Sequence, residues 1–172
     1  MKNRVLVSVS EDLEEFAWLK KIEDFSQKVL DEIKNLVKEK SAENQEVSIL
    51  FCRDNFIQNL NRDYRQIDSP TDVLSFENGT EYFDEDGVTW KVLGDIAISL
   101  ETLPKNAEYF EVSQDEELKR LLVHGLLHLN GFDHGEEHVE KNKEPVCEML
   151  KLQKKIMENL KNESILLEDL KI

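Results

Sequence analysis

Three of the four histidines in this chain fall within eleven consecutive positions, the run "HGLLHLNGFDH" from His124 to His134. His124 and His128 are four apart, which puts both side chains on one face of a helix with Cβ atoms roughly 5–6 Å apart. Two imidazoles so placed can reach a single ion. Gly131 stands just past the expected end of that helix, where a left-handed residue stops it and turns the chain. The turn can swing His134 round to the same ion. Three neutral imidazoles, with the fourth position left to water, make the donor set of a catalytic zinc site; imidazole also suits nickel, copper and iron. The plain alternative is three unconnected histidines, two on a helix face and one in a turn. Asp133 is the runner-up fourth ligand but is better placed to orient an imidazole or a bound water. His138 reads as a surface residue of the next helix.

The spacing H-x3-H-x2-G-x2-H is that of the metzincin zinc proteases, whose motif carries a glutamate general base directly after the first histidine. Here that position is Gly125. The metal-binding frame is present and the proteolytic base is not. Glycine inside a helix costs roughly 0.5–1 kcal/mol against alanine, so Gly125 is expected to keep clear either substrate or a neighbouring backbone.

The elements that must position these groups follow from periodicity and caps. "RVLVSVS" alternates like a strand. From Glu15 to Lys40, Phe16, Leu19, Ile22, Phe25, Val29, Ile33, Leu36 and Val37 recur at helical steps, giving one amphipathic helix or two in series. After the polar break "KSAENQE" comes a second strand, "VSILFC". "DNFIQNLNRDYR" fits a short helix capped by Asp54. "TDVLSF" and "VLGDIAIS" are two more strands, with a long-looped hairpin between Glu77 and Lys91. A short helix holds Pro104 in its first turn. "SQDE" at Ser113 to Glu116 is a capping box opening the histidine helix, which runs to about Leu129. A last helix is expected from about Glu137 to Leu160, with a loosely held tail over 160–172. These elements define an α+β class: one domain over 1–172, with a mixed sheet of about four strands, about five helices and a zincin-like metal-binding helix.

A chain of 172 residues buries roughly two-thirds of its unfolded surface and needs no disulfide. Cys52 and Cys147 read as free thiols in a reducing cytoplasm. The start, "MKNRVLVSVSEDLEEF", resembles neither a signal nor a transit peptide, and no run approaches the roughly 18 apolar residues of a membrane span. A soluble protein without a membrane partner is expected. The balance of 22 basic against 37 acidic residues, −15 overall, argues against binding a polyanion through the whole surface. It leaves room for a local basic site. The acidic clusters read as solvated faces and helix starts.

The histidine run fits the H-G-x-L-H-L-x-G-x-D-H signature of the YbeY family of bacterial endoribonucleases. Three further blocks agree in order: "LNRDYR" at Leu60 to Arg65, "TDVLSF" at Thr71 to Phe76 and "LGDIAIS" at Leu93 to Ser99. The resemblance covers about Val47 to Met149. Two positions depart from the pattern: Phe132 stands where the family usually has tyrosine, and Asn130 replaces a common leucine.

The resemblance implies one zinc ion held by His124, His128 and His134 and cleavage of single-stranded RNA. It implies a role in ribosomal RNA maturation, including the 16S 3′ end, and in ribosome quality control. The implied partners are rRNA and small-subunit ribosomal proteins, with no DNA. It also implies a functional Arg65, whose guanidinium could grip the charge that builds on a cleaving phosphodiester. Residues 53 to 65 hold Arg53, Arg62 and Arg65 against Asp54 and Asp63, locally +1. Thr71, Asp72 and Asp95 are secondary candidates for shaping or bracing the cleft. Trp18 and Trp90 read as packing residues. Two other classes share the frame: a zinc peptidase or amidase, and a ribosome assembly factor with a structural metal.

Overall fold

The computed structural model describes residues 2–37 and 44–172, and within them the expected α+β architecture is present. The strands are β1 (Asn3–Val9), β2 (Asn44–Cys52), β3 (Val73–Glu77), β4 (Glu81–Phe83) and β5 (Thr89–Ser99). The helices are α1 (Leu19–Val37), α2 (Asp54–Arg65), α3 (Thr102–Phe110), α4 (Gln114–Leu129) and α5 (Glu148–Asn159). One mixed sheet runs in the order β1-β2-β5-β3, with β4 also on β5. β1, β2 and β5 are parallel neighbours, whereas β3 and β4 run antiparallel to β5. The strand beyond the four expected is β4, a short segment inside the connection expected between Glu77 and Lys91, paired with the start of β5.

Alternation in β2 explains why the sheet has two unequal faces. Val47, Ile49 and Phe51 point into the main core with Ile96 and Ile98 of β5, under α1 and α4. Cys52, Leu74 and Ala97 point the other way and are covered by Ile57 and Leu60 of α2. β3 lies at the sheet's edge, and α4 packs across both β3 and β5. The histidine-bearing helix is therefore laid beside a strand at the sheet's edge.

Several expectations need correction. The first long helix starts at Leu19, not Glu15, after a turn in which Phe16 stacks on Trp18 at 4.8 Å; its expected end at Lys38 to Lys40, with part of the polar break after it, lies outside the described residues. Asp54 is the first residue of α2, not its cap. Its carboxylate instead accepts hydroxyl bonds from Ser99 and Thr102, both 2.6 Å, and so ties α2 to the start of α3. The last helix begins at Glu148, eleven residues later than expected. Gly135 at φ +58° and Pro145 break the pattern, and the residue before a proline avoids helical backbone. The tail is not loose. Ile165 and Leu166 are buried, the Asp115 carboxylate accepts both of their N–H groups at 2.7 Å, and buried Lys119 donates to the Glu163 carbonyl at 2.9 Å.

Candidate metal centre

Two apolar demands and one cap set α4. Ser113 accepts the Glu116 N–H at 3.0 Å, as the capping box requires. Leu118, Leu121, Leu122 and Leu126 are fully buried against the sheet and neighbouring helices. That leaves Arg120, His124 and His128, at steps of four, as a stripe along the helix flank. Gly125 lets the helix lie close. A Cβ there would sit 2.9 Å from Ile96 Cδ1 and 3.1 and 3.2 Å from its Cγ2 and Cγ1. What the glycine keeps clear is thus a strand side chain, not substrate or backbone.

At the C-terminal end, Gly131 adopts φ +89° and its N–H bonds to the His128 carbonyl at 3.0 Å. Asn130, in place of the family's leucine, donates from Nδ2 to the Leu126 carbonyl at 2.8 Å. The Asp133 carboxylate accepts the Gly135 N–H at 3.0 Å; that bond, with the field of His128 and His134, holds it below the usual carboxylate range. Its part is to fix the turn that carries His134.

These devices bring the three rings together. Ring centroids are 4.7 Å apart for His124–His128 and 5.1 Å for each pair with His134. One ligand nitrogen from each lies within 4.8 Å of the others. His124 Nδ1 bonds the Gln153 Oε1 at 2.8 Å. An amide oxygen only accepts, so the proton belongs on Nδ1 and the Nε2 lone pair is free. That Nε2 lies 3.2 Å from His128 Nε2, and His134 Nδ1 is buried without a hydrogen-bond partner. Converging ring nitrogens, one of them an orphan, fit a bound cation. Burial pushes the His124 imidazolium down to about 4, with repulsion from His128 and Arg120 adding to it. Burial and His134 lower His128 in the same direction. Both shifts favour the neutral ring, the form that coordinates metal.

The triad opens on a cleft of about 620 Å³ whose walls include Arg65, Thr71, Asp72, Ser75, Asn106 and Arg120. Of the sequence candidates, Arg65, Thr71 and Asp72 are therefore brought to the histidines. Asp95 is not: it lines a separate hollow on the opposite sheet face with Tyr64 and Phe76. Arg62 and Arg53 are taken up by Asp63 at 3.0 Å and Asp12 at 3.5 Å. Arg65, the last residue of α2, makes no ion pair among the described residues. Trp90 is buried and donates to Asp84 at 2.8 Å, consistent with packing.

Sequence reasoning missed two groups. Arg120 bonds Glu117 through Nε at 2.9 Å and Asp72 at 3.4 Å, and Asn106 bonds the same Asp72 oxygen at 2.9 Å. This part-buried cluster ties α3, α4 and the start of β3 around the cleft. Its signal was available, because Arg120 precedes His124 by one turn. Gln153 carried no signal, lying on a separate helix 29 residues from His124.

The chain was then compared with known proteins. Residues 9–161 match the family model described as endoribonuclease YbeY. The chain belongs to the YbeY family. The match reaches further than the resemblance read from the sequence, about Val47 to Met149. Endoribonuclease YbeY of Treponema denticola is 54% identical over 133 residues, covering 77% of this chain and 82% of that protein. A relative of the same name from Sulfurihydrogenibium is 37% identical over 159 residues, covering 92% and 93%. The solution structure of TM1509 from Thermotoga maritima shares the fold with a TM-score of 0.53 at 28% identity, covering 93% of this chain and 90% of that one. Within this YbeY chain no described helix is long and apolar enough to cross a membrane.

Proposed function

We propose that this chain is a zinc-dependent endoribonuclease of the cytoplasm that cuts single-stranded RNA. It acts in ribosomal RNA maturation, including the 16S 3′ end, and in ribosome quality control, beside small-subunit ribosomal proteins. Residues 1–172 form its one catalytic domain. Family membership supports the RNA substrate. The observation that carries the reading is a cleft in which three imidazole nitrogens within 4.8 Å face the same space as an arginine without a carboxylate partner among the described residues.

His124, His128 and His134 would hold the ion. Zinc there supplies Lewis acidity toward a phosphoryl oxygen and toward water. Arg65 takes the non-bridging oxygens through two N–H groups as negative charge grows on them. Thr71 and Ser75 offer hydroxyls along the same wall. Two of the cleft's carboxylates are poor general bases. Main-chain N–H groups of Val146 and Cys147 hold Glu137 below the ordinary carboxylate range, as Gly135 does Asp133. Products report the nucleophile: a 2′,3′-cyclic phosphate means attack by the ribose 2′-hydroxyl, and a 3′-hydroxyl means attack by water.

A metzincin-type peptidase carries a glutamate base after the first histidine, and here that position is Gly125, where a side chain would have to displace Ile96. The decisive experiment gives purified protein single-stranded RNA and denatured casein, each with and without a chelator. RNA should be cut, casein spared, and cutting abolished by the chelator. Elemental analysis should find one equivalent of zinc, absent from His124→Ala. Arg65→Ala should lose on the order of 100-fold in kcat/KM with zinc retained. Chelator-insensitive cleavage of RNA, or cleavage of casein, would refute the assignment. With −15 overall, activity on naked RNA should be weak and salt-sensitive.

A further inference from the structure

Behind the metal cleft lies a second chamber of about 360 Å³, under the 136–147 loop and between α4 and α5. The two spaces adjoin: Phe110, Arg120, Glu137, His138, Val139 and Leu150 line both. Its inner wall is apolar, formed by Phe110, Val112, Leu150 and Met157. Its charged lining holds six carboxylates against four cations. Three of the cations are lysines held by acids of the same lining: Lys141 on Glu111, Lys143 on Glu140 and Lys154 on Glu144. The fourth, Arg120, is held by Glu117. Such a chamber disfavours phosphate and suits a flat, neutral group that can donate hydrogen bonds. Gln153 joins the two spaces: its Oε1 holds His124 at 2.8 Å while its side chain lines the chamber.

We propose that this chamber binds the base of the nucleotide next to the scissile phosphate and favours bases that carry an exocyclic amine. The inference rests on the ribonuclease reading above. The backbone lies in the metal cleft, where Arg65 is the cation without a partner. The neighbouring base turns in past His138 and Val139, stacks on Phe110 and packs against Leu150 and Met157. The two carboxylates left over, Glu116 and Glu137, accept from Lys119 at 3.4 Å and from the Val146 and Cys147 N–H groups, and adenine and cytosine present amino donors to their remaining lone pairs. Uracil presents carbonyl oxygens at the matching edge, so that acceptor meets acceptor there.

The test is cleavage of single-stranded oligo(A), oligo(C) and oligo(U) of equal length by the zinc-loaded full chain. A site that loses one paired polar group discriminates by about tenfold or more, so oligo(A) and oligo(C) should exceed oligo(U) by that factor in kcat/KM. Val112→Trp, which fills the chamber from a half-exposed position, should bring the three substrates together through a raised KM for oligo(A) and oligo(C). If that variant melts lower than the parent, Met157→Ala should narrow the same ratio by loosening the apolar wall. Equal rates on all three oligomers, or discrimination untouched in folded variants, would overturn the base-binding assignment and leave the nuclease intact. No cleavage of any oligomer would instead refute the nuclease reading on which it rests.

Discussion

Replacing Gln153 with leucine tests the metal centre at a residue that touches no metal. In the metal-bound protein His124 must coordinate through Nε2, so its proton is confined to Nδ1, which donates to Gln153 Oε1 at 2.8 Å. Gln153 is 4% exposed, so no water replaces the lost acceptor and the Nδ1–H stays buried and unpaired. Such a group costs about 1–3 kcal/mol, or roughly 5- to 150-fold in zinc affinity, in line with the 10- to 100-fold usual for partners of metal ligands. The metal-free protein escapes most of this cost, because its imidazole can move the proton to Nε2. Competition against a chromogenic chelator should therefore show a large rise in Kd while the metal-free melting temperatures differ by only a few degrees. Gln153→Glu restores an acceptor and should recover most of the affinity. A Gln153→Leu protein that binds zinc within about twofold of the parent would show that the Nδ1 bond does not hold the ligand, and the argument would fail.

Other perturbations probe the scaffold. Gly94 sits in β5 at φ +141°, and a Cβ there would lie 1.9 Å from the Phe76 carbonyl oxygen. Gly94→Ala combines backbone strain and overpacking, roughly 2–6 kcal/mol together, and should lower the Tm by roughly 5–20 °C in a calorimetric scan. Burial alone would raise the Asp54 carboxyl, but hydrogen bonds from Ser99 and Thr102 and the nearby Lys105 hold it below its ordinary value. A depressed folded pKa stabilises above the unfolded value near ~3.9 and is lost as pH falls through the folded one. Asp54→Asn should cost about 1–2 kcal/mol at neutral pH and progressively less below about pH 4, as read by urea titrations across pH. A pH-independent difference would remove the carboxylate as its cause. Deleting residues 161–172 uncovers the surface under Ile165 and Leu166 and strips Lys119 of its Glu163 carbonyl, so about 3–6 kcal/mol should be lost in urea denaturation. An unchanged midpoint would mean that the segment is not docked in solution.

The sequence by itself determined which three histidines converge and the helix that carries two of them. A four-residue step, a capping box and a glycine after the last turn are local rules, and local rules survive without knowledge of the rest of the chain. It likewise carried the strands with clean alternation. Its errors fell where local signals compete or are missing. The 130–147 segment is polar enough to pass for the start of a helix, yet Gly135 and Pro145 keep it irregular. The tail looks unstructured until Asp115 and Lys119, about fifty residues away, bind its main chain.

Only the tertiary structure decided that Gln153 supports His124, that Gly125 yields to Ile96, and that Asp95 faces away from the site. These are contacts between elements distant in sequence, fixed by which face of the sheet each strand position meets and how closely α4 lies on β5. Side-chain packing across the sheet settles them, and no periodicity within one segment encodes it.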